Sequence, residues 1–321
     1  MNILCECLSL KYPIIQGGMG NFSHAELTAA VSEAGGLGTI GAGTMTPGEI
    51  EEIITAVKAK TDKPFCVNIA ITVQPYAEDV MKLIVKQSVP VVSLSAGNPT
   101  PYIKKFQEHG IKVICVVASV KQAKKAEAAG ADVIVAEGYE AAGINSNFET
   151  TTLTLIPQIV NAVSVPVVAA GGIADGKGLL AMLSLGASGV QMGTRFIVTQ
   201  ESLAHENYKE GIVNADDTST VIVGRTVGRV RRLLNTSYAQ TLLEMEKKGI
   251  TLEQFNEHTD EVRHLTGAIE GKTDQGHLNS GQVAGLINDI PTVTELLEGM
   301  VNEAIEMSGK ASYQLQRKID Y

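Results

Sequence analysis

Positive charge is what the sequence has too little of: 26 lysines and arginines face 35 aspartates and glutamates, a formal net charge of −9. Nucleic acid, which proteins grip through basic patches, is therefore not an expected partner. No apolar run reaches the roughly 20 residues that span a bilayer, so no membrane segment is expected. The first residues, MNILCECLSLKYP, lack the basic start and sustained apolar core of a secretory leader, and a cytoplasmic location is expected. Cysteine is sparse. Cys5 and Cys7 lack the spacing of a zinc ligand pair and no second pair completes a site, while Cys66 and Cys115 lie in apolar runs and read as buried free thiols. Six histidines are scattered without an H-x-x-x-H pair, so no metal site is expected. No G-x-G-x-x-G follows a strand, which leaves no resident dinucleotide site.

What is present is a rhythm. The 321 residues, 44% hydrophobic, suit a barrel of about 200–250 residues with an appendage. Apolar runs at 12–16, 37–42, 65–70, 90–95, 112–118, 132–136, 165–170 and 189–192 read as strands. Helix patterns near 23–34, 47–60, 75–87, 100–109, 119–129, 151–163 and 175–185 separate them. Ser23, Thr46-Pro47 and Asp175 are start signals, and Gly35, Gly110, Gly130 and Gly186 are stops. Eight continuous apolar strands between seven helices predict an α/β fold, a (β/α)8 TIM barrel with a parallel sheet covered by helices. Residues 199–290 lose the rhythm and read as a smaller, mainly helical lid, carrying a helical stretch at 234–248 and Arg225, Arg229, Arg231 and Arg232. A helix at 292–308 returns, so that 1–198 and 291–321 make the barrel.

Barrel active sites lie at the C-terminal ends of the strands. Here those ends are rich in glycine: Gly17-Gly18-Met19-Gly20, Gly41-Ala42-Gly43, Ala96-Gly97-Asn98-Pro99 and Glu137-Gly138. Glycine lets a flat ligand approach the backbone closely. Asn68 and Glu137 close apolar runs with polar groups, which is costly unless they meet a partner. The last two strands end in Gly171-Gly172 and Gly193-Thr194, where a barrel's phosphate site is built from exposed N–H groups.

QGGM (16–19), AGGLG (34–38), VNI (67–69), AGNP (96–99), AEGxEA (136–141), VPVVAAGGIADG (165–176), GVQMGTRF (189–196) and GQVAGLI (281–287) run through nearly the whole chain. In that order and spacing they resemble the FMN-dependent nitronate monooxygenase and enoyl-acyl-carrier-protein reductase II family. The C-terminal GQ-x-AGLI is more similar to the enoyl reductase branch. The resemblance implies that Gly17, Gly18 and Met19 lie against a flavin, that Asn68 hydrogen-bonds it, and that Glu137 takes the place of a polar flavin contact. It implies that Gly171, Gly172, Gln191, Met192, Gly193 and Thr194 hold the FMN phosphate end.

One departure stands out. The family carries a histidine after strand 6 in a pattern E-A-G-G-H; here Ile144 occupies that place in a loop about two residues longer. Isoleucine moves no proton, which counts against a nitronate oxidation that relies on the histidine. Asn145 and Tyr139 are the candidate catalytic groups left in the loop, the first to bond a carbonyl and the second to donate a proton. The expected activity is reduction of an enoyl thioester, with NADH or NADPH visiting the flavin transiently; the alternative is oxidation of alkyl nitronates with O2. Expected partners are a small-molecule or acyl-thioester substrate, an acyl carrier protein, and a second copy in a homodimer. A nucleotide dehydrogenase barrel, whose chemistry needs a cysteine in the loop after strand 6, is excluded because residues 138–150 contain none.

Overall fold

In the computed structural model, which describes residues 2–22 and 24–316, eight parallel strands form one sheet. They are Ile14–Gln16, Gly38–Gly41, Phe65–Ala70, Val91–Ser95, Lys112–Val117, Val133–Glu137, Val167–Ala170 and Gly189–Met192, barrel strands 1 to 8. Strand 8 pairs with strand 1 through Gln16 and Met192. Strand 1 then meets strand 2 through a parallel bridge between Ile15 and Leu37, where the Gln16 N–H donates to Leu37 O at 2.9 Å. The sheet closes as a TIM barrel.

Helices lie where the pattern places them, several of them started or stopped by identifiable chemistry. Pro47–Lys60 opens on a capping box between Thr46 and Glu49, with Pro47 where no N–H is needed. Asp175 caps Gly176–Ser184 through the Gly178 N–H. Gly35, Gly110, Gly130 and Gly186 all take the left-handed conformation that ends a helix. The expected cap Ser23 lies outside the described residues; His24 stands at the N-cap of Ala25–Glu33.

Side chains alternate along each strand between two apolar layers. Outward residues such as Ile14, Val67, Val92, Ile134 and Val190 pack under the helices. Inward residues Ile15, Leu37, Cys66, Val91, Ile114, Val133, Val135 and Val168 fill the barrel. Its floor is a helix that sequence patterning did not reveal, Ile3–Leu8, capped by Asn2 and inserting Leu4 and Leu8. Burial of those two leucines contributes roughly 3–6 kcal/mol on transfer grounds. Cys66 and Cys115 are free and buried as expected, and burial pushes the Cys115 thiol up to about 12.

The segment 199–290 carries the helices Glu206–Val213, Ser237–Lys247, Leu252–His258 and Glu261–Ala268. It also carries strands, which the sequence reading did not anticipate. Thr220–Val223 and Arg231–Leu234 form an antiparallel hairpin, and Gly143–Ile144 from the loop after barrel strand 6 adds to it as a third strand. Helix Val293–Gln316 returns to pack against Gly176–Ser184, so closely that a Cβ on Gly176 would lie 2.3 Å from Met300 O. No helix among the described residues is long and apolar enough to cross a membrane.

Candidate active site

The inward positions change character at the C-terminal rim. Where Cys66, Val91 and Val133 are apolar, the inward residues further along the same strands are Asn68, Ser93, Ser95 and Glu137, with Gln191 on strand 8. Asn68 Nδ2 donates to Ser93 Oγ and Ser95 Oγ, both at 3.2 Å, which fixes its amide in the plane of the rim. Gly18 lies directly over it: a Cβ there would come within 2.5 Å of Asn68 Cβ. Gly17 is tied to strand 8 by its N–H to Met192 O at 2.8 Å and borders the Gln191 amide. Thus Gly17, Gly18, Asn68 and Gln191 meet over the barrel mouth.

Glu137 ends strand 6 at the same level. No partner compensates its carboxyl among the described residues, and burial alone pushes it up to about 7. It lines a small cleft with Tyr139, Asn145, Ser146 and Glu149, so the structure does bring the two sequence-derived catalytic candidates to the rim carboxyl. Both are already engaged. Asn145 Nδ2 donates to Ala141 O at 2.8 Å and to Gly143 O at 3.3 Å, bracing its own loop and leaving only Oδ1 for a ligand. Tyr139 accepts from Arg225 at 2.6 Å, and its phenol is held above the ordinary range chiefly by burial and by Glu149. Ile144 is 51% exposed on the short added strand, opposite Arg231.

The ends of strands 7 and 8 are adjacent through Ala170 and Gln191. Gly171 and Gly172 take φ +97° and +76°, a turn that side chains resist. Beyond it, the first helical N–H groups are occupied: Glu303 accepts from Gly176 at 2.8 Å and Asp175 from Gly178 at 2.8 Å. The helix terminus itself is therefore closed to an anion. The turns before it are open, because the N–H groups of Gly172, Ile173, Gly193 and Thr194 find no acceptor among the described residues. Four unpaired donors on neighbouring turns suit a phosphate. Gly193 is spacious, with only Met19 Cγ and Sδ at 3.8 Å from a Cβ position. Thr194 is buried, its hydroxyl accepting from the Gly281 N–H at 2.9 Å. Met192 is the exception among the expected contacts. Its side chain joins the core beneath the helices, and only its backbone reaches the mouth.

Other groups at the mouth had no strong sequence signal. Glu261 descends from 199–290 to the loop after strand 1, accepting from the Asn21 N–H at 3.0 Å. His264 bonds Glu261 at 3.4 Å and stacks on His277 at 5.2 Å, and His277 meets Arg231 at 3.1 Å. Burial beside Arg231 keeps His277 neutral. The Glu-x-x-His spacing was the one available hint. GQVAGLI forms the 3-10 turn Gln282–Leu286, held by the Gln282 N–H to Glu140 O at 2.9 Å.

Known proteins match this chain along nearly its whole length. The family model for nitronate monooxygenase matches residues 2–82 and 71–303. FabK from Thermotoga maritima is 42% identical, with a TM-score of 0.93 over 98% of this chain and 99% of its own. A probable nitronate monooxygenase of Staphylococcus aureus is 35% identical over 94% of this chain and 97% of its own. A Rhodococcus jostii enzyme, (3aS,4S,5R,7aS)-5-hydroxy-7a-methyl-1-oxo-octahydro-1H-indene-4-carboxyl-CoA dehydrogenase, is 34% identical over 94% and 95%. The chain belongs to the nitronate monooxygenase family, a family of flavin-dependent oxidoreductases.

Proposed function

We propose that the chain is an FMN-dependent reductase of enoyl thioesters that draws its electrons from NADH or NADPH. The observation that carries this reading is the match along 98% of the chain to FabK, an enoyl-acyl-carrier-protein reductase II. Ile144 adds support, since an aliphatic residue stands where the resemblance places the base of a nitronate oxidation. The Rhodococcus relative is named for a CoA thioester, which is consistent with a thioester substrate.

The residues fit the cofactor. When bound, FMN supplies hydride transfer to an electron-poor double bond. The N–H groups of Gly172, Ile173, Gly193 and Thr194 would hold its phosphate, while Gly18, Asn68 and Gln191 would flank its ring. Glu137 holds a proton on its carboxyl below about pH 7 and so offers a donor at the rim without a charge. Glu261 and the Gln282–Leu286 turn fasten residues 199–290 over the mouth as a lid and exclude water from it.

Oxidation of nitronates is the second reading, favoured by the family model and by the names of the staphylococcal relatives. Turnover separates the two. The expected result is NADH or NADPH consumption that depends on a crotonyl thioester, with weak oxygen uptake on alkyl nitronates that rises in Ile144→His. Rapid nitronate oxidation by the unaltered protein, with no thioester response, would reverse the order.

A further inference from the structure

Four arginines, Arg225, Arg229, Arg231 and Arg232, fall within eight residues of a chain whose net charge is −9. They belong to the hairpin of Thr220–Val223 and Arg231–Leu234, whose tip is closed by the Arg229 N–H to Gly224 O at 2.9 Å. The tip lies over the loop after barrel strand 6, where the Asn145 N–H donates to Val230 O at 2.9 Å. Two of the arginines bracket Tyr139. Arg232 stands 5.0 Å from the ring centroid and donates to Tyr139 O at 3.0 and 3.2 Å. Arg225 stands 5.9 Å from the centroid and donates to the phenol oxygen.

Their counter-charge is uneven: Arg231 has Glu261 and Asp260 nearby, while Glu140 and Glu149 act on Arg232 from beyond contact. Arg232 is 4% exposed and makes no ion pair among the described residues. A buried guanidinium without an anion is costly, more so beside a second cation. Among the described residues, the carboxylate in direct contact with these two arginines is Glu149, at 2.9 Å from Arg225 Nε. Glu149 is exposed and its backbone takes φ +51°, a conformation that L-residues rarely adopt. Strain of this kind persists where surroundings impose it, and it marks segments built to move.

We propose that Arg225 forms the seat for a phosphate ester of the thioester carrier, with Glu149 occupying that seat until the phosphate displaces it, and with Arg232, whose nitrogens are held by Tyr139 O and Thr220 Oγ1, adding positive charge behind it. The proposal rests on the thioester reading of the same site. A phosphate offers the Arg225 guanidinium paired, charge-assisted bonds, where Glu149 pairs with its Nε. Arg229, exposed and without an ion pair among the described residues, widens the positive rim. Glu149, Tyr139, Asn145 and Glu137 line one narrow cleft, which places the seat beside the barrel mouth.

Calorimetric titration of the flavin-loaded protein with coenzyme A, 4′-phosphopantetheine and pantetheine tests the seat without requiring turnover. The two phosphate ligands should bind about tenfold more tightly than pantetheine, and Arg225→Gln should erase that preference. Glu149→Gln should strengthen it, the opposite sign to the loss expected if the pair merely braced the loop. A loss shared by both phosphate ligands assigns the seat to the pantetheine phosphate, as on a carrier protein; a loss confined to coenzyme A assigns it to the nucleotide phosphates. Equal binding of all three ligands, or an Arg225→Gln change that pantetheine also shows, overturns the proposal. Intact phosphate preference in a protein that reduces no enoyl thioester would leave the seat standing and overturn the functional reading alone.

Discussion

Glu137 is the rim carboxyl whose charge the fold opposes. Its carboxyl titrates near about 4.5 in an unfolded chain but near 7 in the fold, because burial disfavours the charge and no partner repays it. The unfolded state therefore releases its proton first as pH rises, and stability contributed by this group is lost between those two values. Thermal denaturation of ligand-free protein from about pH 5 to about pH 8 should show a steeper fall for the unaltered chain than for Glu137→Gln. Identical slopes would place the carboxyl in water. Gly193 tests the phosphate turns in the same way. Its φ of −114° and open surroundings admit a Cβ, so Gly193→Ala should fold and keep flavin. Gly193→Asp should fold but lose it, because the new carboxylate would face the donors meant for a phosphate. A fully flavinated Gly193→Asp protein would move the phosphate elsewhere.

At the level of elements, the loop after barrel strand 6 is tied to its neighbours on several sides. It is braced by Asn145, by the two-residue strand Gly143–Ile144, and by Glu140 accepting from the Thr152 N–H at 2.9 Å. Replacing Asn145 by alanine removes two donors from the loop and should cost about 1–2 kcal/mol, read as faster hydrogen exchange over residues 141–150 with the barrel strands unchanged. Unchanged exchange there would free Asn145 for a role in substrate binding. None of this bracing was legible beforehand. A two-residue strand has no periodicity, and its partner reads RRLL, whose paired charges obscured the alternation of TVIV and RRLL about a glycine-bearing turn. The floor helix was hidden for a similar reason. It is six residues long, and only an Asn cap with Leu4 and Leu8 spaced four apart announced it.

Across the whole molecule, the barrel was legible because most strands are continuous apolar runs and several helices are bounded by a capping residue or a glycine. Phe65–Ala70 and Gly189–Met192 have the bounds that the pattern gave. The glycine turns after strands 7 and 8 were legible from paired glycines, although the helix behind them proves to be capped by Glu303, a residue 127 positions away. Contacts of that separation leave no trace in local sequence. The same holds for Glu261 on the first loop and for the arginine hairpin over Tyr139. What the chain does thus depends on a barrel mouth that sequence reveals and on a covering segment that only the fold assembles. Anaerobic stopped-flow absorbance of the flavin-loaded protein tests that function most directly. NADH or NADPH should bleach the flavin band, and a crotonyl thioester added next should restore it. Bleaching by an alkyl nitronate, with no response to either nicotinamide, would contradict the reductase.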